Sequence, residues 1–300
     1  MKSYTIRKTP VRTLSKGVLT LLVLILIFLA QPVVAKTYTI AIVPQLPKEI
    51  THKNWGPFIF EINKRLGIKL KLLLFSSFQE FESSFSHGEP DFIYLNPYHQ
   101  LLANKAQGYI PLIRDDSKML TGILVVSKDS TIDSLEQLQN KKVAFPSPLA
   151  FGASLYMRAA LSKKGINVEP IYVKSHNNVY RSVVLGTTVA GGGVNSTYNA
   201  ESQQIKNELK IIFKLPGVPS HPISVHPRVD EKVVKAFIAA CLDMANSQQG
   251  LTLLKSINIP TPVVAVQERD YKPLDVLKLE RFIDDAEVTS SASKGGKHGG

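Results

Sequence analysis

The chain has 300 residues, 44% of them hydrophobic and 20% charged, which excludes a disordered or fibrous protein and leaves room for a large core in one or two domains. Its formal charge of +12 raises nucleic acid as a partner. Of the 36 bases, however, five (Lys2, Arg7, Lys8, Arg12 and Lys16) lie in the first 16 residues, where no acid occurs, leaving 31 against 24 acids and no dense basic run interleaved with aromatics, so nucleic-acid binding is set aside.

The first element is a leader. A basic stretch precedes an apolar run over residues 17–30, and Pro32-Val33-Val34-Ala35 follows. This is the order of a secretory signal peptide, with cleavage expected after Ala35 and the mature protein in the periplasm. The apolar run falls short of the ~20 residues that span a bilayer, and a retained anchor is the alternative. No cysteine near Ala35 supports lipidation. Cys241 is the only cysteine, so no intramolecular disulfide or CxxC motif exists, and its apolar neighbours mark it as a buried small hydrophobe.

Beyond the leader, residues 37–43 alternate as a strand. Residues 55–66 place Phe58, Ile59, Ile62 and Leu66 on one helical face, with Gly67 as the stop. Residues 69–74 are strand-like, and Ser77 with Glu80 forms a capping box for a helix carrying Phe78, Phe81 and Phe85 inward. Residues 91–95 form a buried strand, and Pro97 suits a first helical turn. The rhythm continues with strands at 120–127, 142–145 and 169–173 and helices at 150–164 and 177–185. Alternating strand and helix implies βαβ units and mostly parallel sheet. After 209–215 comes a Pro-punctuated stretch holding the apolar run 223–225. Helices at 230–246, 248–256 and 273–283 follow, then a Ser/Gly/Lys-rich tail over 289–300 that is expected to be disordered.

Three segments carry a family resemblance: DFIYLNPYHQLLANKAQGYIPLIR from Asp91, GILVVSKDSTIDSLEQLQNKKVAFPSPLAFGASL from Gly122, and SHNNVYRSVVLGTTVAGGG from Ser175. Their order and spacing resemble the phosphate/phosphite/phosphonate-binding proteins that serve ABC importers. The resemblance implies a type II periplasmic binding fold, with two α/β lobes, each a mostly parallel sheet flanked by helices, joined by two hinge strands. Residues 36–119 and 226–288 would form lobe one and residues 120–225 lobe two. The chain would leave lobe one through 120–127 and return through 220–225. The lobes would close on a small-molecule ligand and present it to a membrane permease, the protein acting as a monomer without cofactor or metal. A sensor subunit engaging a histidine kinase is the alternative.

In open parallel sheets, ligands sit beyond the carboxyl ends of strands. That rule nominates Gln45 and Trp55 after the first strand, Tyr94, Asn96 and Tyr98 after the third, and Phe151, Gly152, Ala153 and Ser154 at a helix start. It also nominates His176 and Asn177 at the next helix start, and the Gly191–Gly193 run as a close backbone approach or a tight turn. Asn177 and Asn195 are natural helix caps, which makes a ligand role the weaker reading for them. Relatives carry Ser-Thr-Ser where this chain has Ala150-Phe151-Gly152, an Asp where it has Asn177, and an acid where it has Val189-Ala190. The missing hydroxyls weaken the expectation of a phosphonate, and Phe151 suggests a partly apolar or planar ligand. No GxSxG, HExxH, Walker A or GxGxxG motif occurs, so no catalytic residue is assigned. His221 and His226 lack nearby carboxylates and are not expected to bind metal.

Overall fold

The computed structural model describes residues 36–280, 282 and 283; the expected leader and tail lie outside the described residues. Four strands come first: β1 (Thr37–Ile42), β2 (Lys69–Leu74), β3 (Phe92–Tyr94) and β4 (Ile110–Asp115). Then follow β5 (Gly122–Ser127), β6 (Lys142–Phe145), β7 (Glu169–Tyr172), β8 (Ala190–Val194) and β9 (Leu209–Lys214), and finally β10 (Pro222–Val225) and β11 (Pro262–Val264). They build a six-stranded sheet, β11-β4-β10-β3-β1-β2, and a five-stranded sheet, β7-β6-β8-β5-β9.

The two sheets repeat one plan. A parallel trio (β2-β1-β3 in one, β7-β6-β8 in the other) is extended by a strand that has just crossed from the other lobe. That crossing strand, β10 or β5, runs antiparallel between its neighbours. The sheets are therefore mixed, with β10 and β11 in one and β5 in the other running against the remaining strands. The crossings at 116–121 and 215–221 pair with each other, the N–H groups of Leu120 and Val218 each donating to the other's carbonyl at 2.8 and 3.0 Å. The expected return through 220–225 ends earlier, because Ile223 and Val225 are needed as buried residues inside the six-stranded sheet.

Local signals position the helices that face the cleft. Helix α1 (Lys48–Leu66) starts earlier than its apolar face predicts and ends at Gly67, whose φ of 62° is the left-handed conformation glycine adopts without strain. Ser77 Oγ accepts from Glu80 N–H at 3.1 Å and opens α2 (Phe78–Ser86). Asn96 Oδ1 accepts from His99 N–H at 2.7 Å and opens α3 (Pro97–Gln107), with Pro97 in the first turn. The helix expected from residue 150 begins instead with a wide turn over Phe151–Leu155, in which Ala150 O accepts from both Ser154 and Leu155 N–H. Regular α4 (Tyr156–Lys163) follows, and Ser175 caps α5 (His176–Val184). The helix expected over 273–283 is shorter. A tight turn over Lys272–Leu277 ends at Lys278, which takes a left-handed φ of 47°.

The glycine run at 191–193 is not a turn but the interior of β8. A β-carbon at Gly191 would lie 2.6 Å from Val179 Cγ1, and one at Gly193 would lie 2.3 Å from the Tyr180 hydroxyl. The strand is stripped of side chains because α5 packs directly on it. Strand β5 divides its residues by period two: Leu124 and Val126 join one core of the five-stranded lobe, Ile123 and Val125 the other. The core of the six-stranded lobe extends across the boundary to take in Ala150, Phe151, Ala153, Leu155 and Val194.

Candidate functional site

The carboxyl ends of the parallel strands in both sheets open onto the boundary between the lobes. From lobe one come Gln45 after β1, Asn96 after β3 and His221 just before β10. From lobe two come Phe151, Gly152 and Ala153 after β6 and His176 after β7. With Phe78 and the crossing residue Leu120 they enclose a cavity of about 10 Å³, room for roughly one water molecule.

Every residue lining this inner cavity is neutral at physiological pH. Gln45 Nε2 lies 3.1 Å from His221 Nε2; an amide nitrogen only donates, so the imidazole accepts there and carries its proton on Nδ1. The His221 ring also stacks on Tyr94, with centroids 5.5 Å apart. His176 Nδ1 lies 3.0 Å from Thr197 Oγ1, which donates to Val194 O at 3.1 Å and lies 2.9 Å from the Tyr180 hydroxyl. Burial pushes both His176 and His221 down to about 3, since neither charged ring would be solvated there.

This has a stability consequence. Below about pH 6.5 the unfolded chain takes up two protons that the folded chain refuses until about pH 3. Stability therefore falls as pH drops through that window, by about 1.4 kcal/mol per pH unit for each histidine. Urea denaturation at pH 7 and pH 5 is expected to show the loss, and His221→Gln to remove about half of the slope. An unchanged slope in that variant would show His221 to be solvated.

The inner cavity is closed by contacts that cross the lobes. Asn96 Nδ2 donates to Leu149 O at 3.2 Å. The Phe151 ring, 2% exposed, stacks nearly parallel on Tyr98 of lobe one at 6.3 Å and on Tyr156 of its own lobe at 5.7 Å. Gly152 is held small, because a β-carbon there would lie 3.1 Å from Val194 Cγ1.

Of the eleven residues nominated from sequence, six line the inner cavity: Gln45, Asn96, Phe151, Gly152, Ala153 and His176. The other five do not. Trp55 is core, packed on Tyr94 at 4.9 Å and on Phe58 at 5.7 Å. Tyr94 lies between Trp55 and His221, and Tyr98 reaches the cleft only through its stack on Phe151. Ser154 is fully buried, its Oγ accepting from Arg158 Nε at 3.3 Å. Asn177 donates to Glu201. His221 was missed as a site residue because it was weighed only as a metal partner of His226. The two stand at opposite ends of β10, so they form no pair. The signal that finds His221 is its position at the cleft-side start of a crossing strand.

Two mixed sheets of one plan, two paired crossings and a cavity shared by both lobes define a type II periplasmic solute-binding fold. Residues 40–271 match the family described as ABC transporter, phosphonate, periplasmic substrate-binding protein. The chain belongs to that family, whose members are binding components that hand a small ligand to an ABC permease. Among solved structures, PhnD1 from Prochlorococcus marinus, solved with methylphosphonate, is similar at TM-score 0.74 and 16% identity, over 83% of this chain and 98% of that one. A binding component of an ABC phosphonate transporter from Pseudomonas aeruginosa matches at TM-score 0.73 and 13% identity, over 85% and 89% of the two chains. A Xanthomonas citri protein bound to ATP matches at TM-score 0.67 and 18% identity, over 83% and 98%. At these identities the likeness shows the fold. No curated protein is detectably similar in sequence. Nothing among these relatives supports the sensing alternative.

Proposed function

We propose that this chain, after removal of its leader at Ala35, works as a monomeric periplasmic capture protein that closes on a small phosphonate-like oxyanion in the inner cavity. The observation that carries this reading is convergence: Gln45, Asn96 and His221 from one lobe meet Gly152, Ala153 and His176 from the other. The site brings no cation. An anion would be held by neutral donors and by the first N–H groups of the helical stretch that starts at Phe151, which have no intrahelical acceptor. The role is capture rather than catalysis.

Two consequences follow from the geometry. A cavity of about 10 Å³ holds no phosphonate, so binding requires the lobes to part and the Phe151 ring to move. Without the three hydroxyls, each worth about 1–3 kcal/mol to a charged ligand, affinity is expected to be orders of magnitude weaker than in a hydroxyl-lined cradle. Thermal-shift titration of the chain from Lys36 with methylphosphonate, phosphite and phosphate tests this. A concentration-dependent rise in melting temperature, lost in His221→Ala, supports capture in the inner cavity. No rise at millimolar concentrations of any of the three would refute the oxyanion reading. His221, Tyr98 and His176 are all buried, so the ligand-induced shift of each alanine variant is read against that variant's own ligand-free melting temperature.

A further inference from the structure

A second cavity, of about 250 Å³, lies where the start of α2 in lobe one faces the turn after β6 and the end of β7 in lobe two. It is far larger than the inner cavity and shares only Phe78 with it. Phe78, Pro146 and Leu149 give it an apolar floor. Its charged groups come from different lobes.

Glu82 stands on the lobe-one wall, its carboxylate held by His99 Nε2 at 3.1 Å. Lys174 stands on the lobe-two wall. Its backbone is fixed in the left-handed region at φ 74°, with its N–H donating to Pro146 O at 2.9 Å. Among the described residues the Lys174 ammonium has no carboxylate within ion-pair distance, Glu82 included. Beside it, Ser147 is 7% exposed and its hydroxyl makes no hydrogen bond; a buried hydroxyl left without a partner is costly and rare.

We propose that this outer cavity binds a small zwitterion with an apolar body, its ammonium at Glu82 and its anionic group at Lys174 and Ser147. The opposed charges select for that class. A simple anion drawn to Lys174 would also face Glu82, and a simple cation the reverse, whereas a zwitterion satisfies both and places its apolar part on the floor. Because the two charges belong to different lobes, such a ligand would bind across the cleft. The inference rests on the two-lobed capture reading but needs no ligand in the inner cavity.

Isothermal titration of the chain from Lys36 with L-leucine, L-phenylalanine and 6-aminohexanoate tests it. N-acetyl-L-leucine and L-leucinamide serve as probes lacking one charge each. At least one zwitterion is expected to bind, with its singly charged derivative at least tenfold weaker. Lys174→Asn, which keeps a residue tolerant of left-handed backbone, and Ser147→Ala should each weaken binding about tenfold at unchanged melting temperature. Zwitterion binding that both variants retain at full strength would overturn the proposal. So would binding of methylphosphonate with no zwitterion bound, which leaves the oxyanion reading standing. Zwitterion binding that depends on Lys174, with no response to methylphosphonate, would uphold the outer site and sink the oxyanion reading.

Discussion

Gly192→Ala is expected to cost the fold about 3 kcal/mol, the upper end of what overpacking usually costs, and to abolish ligand binding with it. A β-carbon at Gly192 would stand 2.0 Å from Ala153 O and 2.6 Å from the Phe145 ring. One obstacle is backbone, so no rotamer change relieves it; either β8 or the turn carrying the site must move. Gly122 has the same relation to the preceding residue of that turn, with its missing β-carbon 2.2 Å from Gly152 O. A glycine on each of two strands thus lets the Phe151–Ala153 turn sit directly on the sheet. Gly56→Ala is the control, since the nearest atom to its β-carbon is His52 Cε1 at 3.9 Å and α1 should gain up to about 1 kcal/mol. Urea denaturation of the two variants should move in opposite directions. A wild-type midpoint for Gly192→Ala would mean that turn and strand stand further apart.

Phe151→Ala is expected to open the ligand-free protein. The ring is anchored in lobe two but buried in the core of lobe one, so it fastens the lobes without a ligand. Its truncation removes the stack on Tyr98, leaving between the lobes here the hydrogen bonds from Asn96 Nδ2 to Leu149 O and from Arg158 Nη2 to Phe282 O. Burial of this kind is worth about 3–5 kcal/mol, and part of that energy opposes opening rather than unfolding. Small-angle scattering should show a larger radius of gyration for the variant than for the wild type, both without ligand. Superimposable curves would show that closure is held elsewhere.

Much of this fold was legible in the residues because its signals are local. The cap Ser77, the first-turn Pro97 and the stop at Gly67 act within four residues of themselves and each does what its type predicts, whereas the cap of α5 is Ser175 rather than the expected Asn177. Strand β8 was illegible for a physical reason: its glycines were selected by what packs on them, so no apolar alternation remained to mark a strand. β4 and β11 were obscured by Pro111 and Pro262, which suit sheet positions that need no N–H donor. The site divides the same way. Position after a strand end found Gln45, Asn96, the Phe151–Ala153 turn and His176. It could not separate Trp55, Tyr94 and Tyr98 from them, because an aromatic at a strand end serves a core and a cleft with the same chemistry. Only tertiary packing distinguishes the two uses.

The position of β10 also constrains the order in which the protein can assemble. It lies between β3 and β4, and β11 follows it in the chain, so until it arrives the six-stranded sheet consists of β3-β1-β2 and a separate β4. The five strands of the other lobe, by contrast, run without interruption from Gly122 to Lys214. A chain emerging from a membrane amino-terminus first can complete the later lobe before the earlier one, and the half-built earlier sheet must wait with β3 unpaired along one edge and β4 along both. Such edges invite pairing between molecules. The protein is therefore most exposed to misassembly in the interval between emergence of Asp115 and emergence of Val225, when a chaperone would have the most to protect.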